Sequence, residues 1–155
     1  MTAPTPAPLH WKLVVDSSDP HAQAAFWAAA LGYRQEDHSA FIGRLLDAGA
    51  APPEATLTVD GRLAWRDLAA VRHPEEPYDP NSDAGLGHRI LFQRVPEPKT
   101  VKNRVHLDVH AAPGARAAEV ARLEGLGATV LREVAEQGGS WTVMADPEGN
   151  EFCVQ

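Results

Sequence analysis

Two stretches far apart in the chain carry the same punctuation. The first opens at His10 as His-Trp-Lys-Leu-Val-Val-Asp and is stopped by Asp16, Ser17 and Ser18. It restarts at Asp19-Pro20 and closes at Leu31-Gly32. β-Branched and aromatic residues favour a strand, Asp before Pro favours a helix start, and Gly after Leu supplies the left-handed residue that ends a helix. The second stretch runs Arg104-Val-His-Leu-Asp-Val109, turns at residues 110–112, restarts at Pro113 and stops at Gly127 after Leu126. Ala24, Phe26, Trp27, Ala30 and Leu31 form the apolar stripe of the first helix, and Val120, Leu123 and Leu126 that of the second. Strand-like segments follow each helix, at 41–46, 56–59 and 89–95, and then at 129–134, 141–145 and 151–154. The chain therefore reads as an α+β fold built from a strand-helix-strands module used twice.

At 155 residues the expectation is one domain, over 9–155, with modules of about 9–96 and 103–155. Residues 1–8 alternate proline with small side chains and read as a flexible lead-in. Pro74, Pro77, Pro80 and Gly85 mark 71–87 as a long surface loop that covers a pocket or is simply slack. The net charge of -7 argues against nucleic acid as a partner. Membrane spans are not expected, since no run approaches the roughly 20 apolar residues a span needs. A single cysteine and the lack of a secretory pattern make the cytoplasm the expected location. Glycine-rich phosphate loops, CxxC pairs and HExxH helices are absent, which removes the usual supports for nucleotide binding, zinc ribbons and zincin proteolysis.

The order of the motifs resembles a known family. Asp19-Pro20, Phe26-Trp27 and Leu31-Gly32 are followed by Val95-Pro96-Glu97-Pro98-Lys99 and by Lys102 through Asp108. The run from Trp141 to Cys153 then contains Asp146-Pro147-Glu148-Gly149-Asn150. In this order they resemble the vicinal oxygen chelate superfamily of glyoxalase I, extradiol dioxygenases and bleomycin-resistance proteins, in its glyoxalase-like branch. The resemblance implies two βαβββ modules forming an incomplete barrel with a cleft, frequent homodimers, and, in the enzymes, a divalent metal held by His and Glu.

Strand alternation selects the candidate site. Val105, Leu107 and Val109 should face the helix, leaving Arg104, His106 and Asp108 in the cleft. In the first strand Trp11, Leu13 and Val15 should face the helix, with His10, Lys12 and Val14 inward. Phe152 and Val154 leave Glu151 and Cys153 on the cleft side, where Gln93 and Trp141 complete the ligand-binding candidates. A metal would draw on His10, Gln93, His106 and Glu151. The resemblance, however, places His10 and Arg104 at the family's first ligand positions and Cys153 at its final glutamate position, and arginine stays protonated. No complete metal site and no other cofactor are therefore expected, although a divalent metal stays open. Each candidate also has a plainer reading: His10 as a surface group, His106 and Asp108 as a polar network, Glu151 as a solvated carboxylate, Cys153 as a small buried hydrophobe, and Trp65 and Trp141 as core. Lys99, Lys102 and Arg104 are either an anion site at the cleft rim or a solvated turn. The leading expectation is a small-molecule-binding protein, with a metal-dependent lyase, isomerase or dioxygenase acting on a small oxygenated metabolite as the alternative. A cleft that serves only dimer assembly is a third.

Overall fold

A computed structural model describes residues 7–155, so most of the lead-in of 1–8 lies outside the described residues. The first part comprises β1 (Leu13–Ser17), α1 (Pro20–Leu31), β2 (Arg34–Gln35), α2 (Ser39–Asp47), β3 (Thr56–Val59), β4 (Arg62–Trp65), β5 (Leu68–Arg72) and β6 (Arg89–Arg94). The second comprises β7 (Asp108–Val109), α3 (Arg116–Gly125), β8 (Thr129–Glu136), β9 (Gly139–Ala145) and β10 (Glu151–Val154). Two four-stranded sheets result, ordered β1-β6-β5-β2 and β7-β10-β9-β8. In each, the strand before the helix runs parallel to the last strand of its module and the remaining pairs are antiparallel. Identical strand order in both halves is the duplicated module expected from the sequence, and neither sheet closes into a barrel. No helix among the described residues is long and apolar enough to cross a membrane.

α1 forms where the sequence places it. Asp19 accepts a hydrogen bond from Ala22 N at 3.2 Å, Pro20 occupies the first turn, and Gly32 closes the helix at φ 68°. Such a cap is worth about 1 kcal/mol. Both ends are also held by the second half of the chain. Glu148 accepts hydrogen bonds from Ser17 Oγ, Ser18 N and Asp19 N at 2.8–3.0 Å, while Arg122 of α3 donates to the carbonyls of Ala29 and Ala30 at 3.0 and 2.7 Å. A carboxylate at the N-terminus and a guanidinium at the C-terminus both suit the helix dipole.

The helix-facing sides of both sheets merge into one core. Ala24, Phe26, Trp27 and Ala30 of α1 meet Val71, Ile90 and Phe92 of the first sheet and Met144, Phe152 and Val154 of the second. Trp27 stacks edge-on against Phe152 with ring centroids 5.1 Å apart. Its indole Nε1 donates to the buried Asp146 at 3.0 Å, so burying the ring leaves no orphaned N–H. Asp146 also accepts from Glu148 N and Asn150 N, which ties the Asp-Pro-Glu-Gly-Asn turn to the core.

Several expectations are corrected. Residues 41–46 lie in a helix rather than a strand: Phe41/Leu45 and Ile42/Leu46 repeat at helical spacing, and Ile42 is fully buried. Between that helix and β5 stands a hairpin turning on Asp60-Gly61, where both residues have positive φ, the pattern of a tight two-residue hairpin turn. Val71 and Arg72 belong to buried β5, so the loop starts later and is braced internally by a Tyr78–Gly85 bridge. Trp11 is 77% exposed and Val105 is 71% exposed, rather than packed on the helices. The sheet is absent there: β1 pairs from Leu13 with Ile90, and β7 pairs only from Asp108 with Cys153. Leu13, Val15, Leu107 and Val109 do pack on the core as expected.

Candidate functional site

The second sheet turns its helix-free face toward a row of unlike side chains. Cys153 pairs with Asp108 on one side and Val143 on the other, and Val143 pairs with Arg132, so all four share a face. His106, two residues before β7 begins, joins them. Donor atoms of His106, Asp108 and Cys153 lie within 4.8 Å of one another. His106 Nε2 stands 3.4 Å from Asp108 Oδ1, and Asp108 Oδ2 accepts from Gln155 Nε2 at 2.9 Å. The imidazole and carboxylate are exposed, whereas the thiol is buried. Burial, with the Asp108 carboxylate beside it, pushes the Cys153 thiol above its ordinary value, against the pull of Lys102 and Arg132.

Two hollows open along the seam between the modules and share Leu13, Ile90, Val105 and Leu107. The first, of about 800 Å³, lies beneath the 95–107 connection. Leu13, Val15, Trp27 and Phe152 are among its apolar lining, and Lys99, Lys102, Arg104 and His106 line it together with the carboxylates of Asp16, Glu97, Asp146 and Glu151. The second, of about 860 Å³, is bordered by the exposed side chains Leu9, Trp11, Leu86 and Val105.

The sequence-derived candidates distribute unevenly over these places. His106 lines the first hollow and belongs to the donor cluster with Asp108 and Cys153. Glu151 lines that hollow too, but its carboxylate is taken by Lys99 Nζ at 3.2 Å and Asn103 N at 3.0 Å. Burial raises its pKa and these two partners outweigh that, so it stays below the ordinary carboxylate value. Arg104 lines the first hollow and is exposed. His10 and Lys12 line the second hollow. Gln93 is exposed on β6 beside Asp16, half-buried Trp141 of β9 pairs with Val134 of β8, and neither borders the two seam hollows. Trp65 belongs to a third, smaller hollow of about 240 Å³ beside β2 and the hairpin.

Sequence reasoning missed a polar clasp in the first module. The fully buried Glu36 side chain accepts from Arg89 Nε and Nη2 at 2.6 and 2.7 Å and from Gly85 N at 2.8 Å. His38 Nε2 sits 3.1 Å from the same carboxylate without the alignment of a hydrogen bond, and its Nδ1 donates to Ser82 O at 2.5 Å. Arg72 reaches Asp83 at 2.7 Å and lies over the Tyr78 ring. These bonds pin the 73–88 loop to β2, β5 and β6. Burial pushes the Glu36 pKa up, but Arg89, His38 and the Gly85 amide outweigh it and hold the value at about 2. His38 moves the other way: burial lowers its pKa, and Glu36 with the Ser82 carbonyl raises it further than burial lowers it. No spacing motif announces the clasp, because its members come from four separate segments.

Solved structures of similar fold cover nearly the whole chain at low identity. A glyoxalase/bleomycin resistance protein/dioxygenase family enzyme from Burkholderia phytofirmans is 15% identical, with a TM-score of 0.55 over 92% of this chain and 94% of that one. The fosfomycin resistance protein FosX from Mesorhizobium loti is 9% identical, with a TM-score of 0.57 over 96% and 91%. A point mutant of FosX from Listeria monocytogenes, complexed with Mn(II) and 1S,2S-dihydroxypropylphosphonic acid, is 10% identical, with a TM-score of 0.56 over 93% and 86%. No curated protein matches the sequence. The family model described as a glyoxalase-like domain matches residues 12–155, and the chain belongs to that family, within the glyoxalase/bleomycin resistance/dioxygenase fold.

Proposed function

We propose that the chain binds a small, oxygen-rich organic anion in the hollow beneath residues 95–107. The observation that carries this reading is that two exposed cations, Lys102 and Arg104, line the hollow beside apolar side chains, while Lys99 and Glu151 in the same lining already pair with each other. Lys102 and Arg104 have no carboxylate partner among the described residues, although the chain carries a net charge of -7. Apolar walls with a few placed polar groups are the usual composition of a small-molecule site. The phosphonate held by the Listeria relative is an anion of this class. Thermal shift against a panel of small carboxylates and phosphonates tests the reading. A binder raises the melting temperature with concentration, and Lys102→Ala with Arg104→Ala reduces the shift. A flat response across the panel refutes it.

A metal-assisted reaction is the second reading, favoured by the convergence of His106, Asp108 and Cys153. The Listeria relative holds Mn(II). Manganese prefers oxygen ligands, whereas this donor set includes a thiol, so the residues present do not fit that ion. The homodimer expected from the resemblance also belongs to this proposal: Leu9, Trp11, Leu86 and Val105 offer it apolar surface at the open edges of β1 and β7. So does a cytoplasmic setting, where the lone Cys153 stays reduced.

A further inference from the structure

The mismatch with manganese has a positive side. We infer that His106, Asp108 and Cys153 form a binding site for a thiophilic divalent cation of the zinc class, selecting it over manganese and magnesium. Imidazole, carboxylate and thiolate are all established zinc donors, and three protein ligands leave a fourth position open for a small oxygen ligand. Donor atoms around a tetrahedral zinc stand about 3.3–3.8 Å apart, from bonds of about 2.0–2.3 Å. The 3.4 Å between His106 Nε2 and Asp108 Oδ1 already matches, and no pair in the trio exceeds 4.8 Å. Side-chain rotation closes what remains.

Two further observations fit a cation site. Gln155 fixes one Asp108 oxygen and leaves the other facing His106, the kind of outer hydrogen bond that orients a ligating carboxylate. Cys153 sits on paired β-sheet between Asp108 and Val143, so its sulfur is placed by the ladder rather than by a loop. Hard, oxygen-preferring cations gain little from a sulfur donor, and the late first-row ions gain most.

The test uses the metals alone, with no organic ligand, so that it stands apart from the anion-binding proposal. Calorimetry on the full chain should give one Zn(II) per chain, bound at least about tenfold tighter than Mn(II). Co(II) loading should produce a thiolate-to-cobalt charge-transfer absorption that disappears in Cys153→Ser. Absence of zinc binding, equal affinity for zinc and manganese, or a cobalt complex without the thiolate band would each overturn the inference. So would a folded Cys153→Ser variant that binds zinc as the parent does. If that variant fails to fold, the cobalt spectrum of the unaltered chain decides alone.

Discussion

Replacing Glu36 with glutamine probes the clasp over the first module at its centre. The parent carboxyl is held at about 2 against an ordinary value of 4.5. At about 1.4 kcal/mol per pH unit, that difference contributes roughly 3 kcal/mol of folding stability. Because the folded value is depressed, the contribution is complete above pH 4.5 and is lost as pH falls through about 2. His38 acts with the opposite sign: its raised pKa stabilises the fold below its ordinary value of 6.5 and loses that effect as pH rises through the folded value. The clasp is therefore strongest between about pH 4.5 and 6.5, where Glu36 is charged and His38 protonated. Glu36→Gln leaves Arg89 and His38 without their carboxylate, and breaking such a buried pair costs about 3–5 kcal/mol. Urea unfolding of both proteins from pH 6 to pH 2 should show the stability gap narrowing by roughly 3 kcal/mol. A constant gap across that range would refute the assignment of the low pKa to Glu36. Should the variant not fold, a carboxyl NMR titration of the parent reads the same quantity directly.

Other expectations follow from single contacts. Gly85→Ala would place a Cβ 2.7 Å from Arg72 Cβ, close to the backbone where it cannot swing away. A cost of about 1–3 kcal/mol should lower the melting temperature by several degrees in differential scanning calorimetry. Asp146→Ala strips the acceptor from Trp27 Nε1 and loosens the turn through Asn150, for about 2–4 kcal/mol in urea unfolding and an altered tryptophan emission. Trp11→Glu tests the proposed homodimer by putting a charge on the exposed apolar border of the second hollow: sedimentation should show a dimer for the parent that the variant weakens, and a monomeric parent would refute that proposal.

The scaffold was legible because it rests on local chemistry. Asp19-Pro20, Leu31-Gly32 and the alternation around 151–154 each act within a few residues, and the structure places them accordingly. Parity also put Asp108 and Cys153 on one face, with His106 beside them. Local reasoning failed where partners decide the outcome. Trp11 and Val105 have the strand-forming chemistry of their neighbours but no adjacent strand at that register, so alternation could not bury them. Glu151 looked like a free inward carboxylate until Lys99 and Asn103, about fifty residues earlier, arrived against it. Residues 41–46 are apolar enough for either element, and helical spacing settled what composition left ambiguous.

Helix α1 borrows both of its ends, with Arg122 at one and Glu148 at the other. During synthesis the helix leaves the ribosome long before either group exists. At typical elongation of about 5–20 residues per second, the nascent first half waits several seconds for its final capping group. Until residue 148 has been made and has cleared the exit tunnel, the N-terminus of that helix holds only its own Asp19 cap, with Gly32 closing the other end. A premature stop anywhere before the Asp146–Asn150 turn would thus leave not a shorter protein but an incompletely secured one, with the defect felt at the opposite end of the sequence.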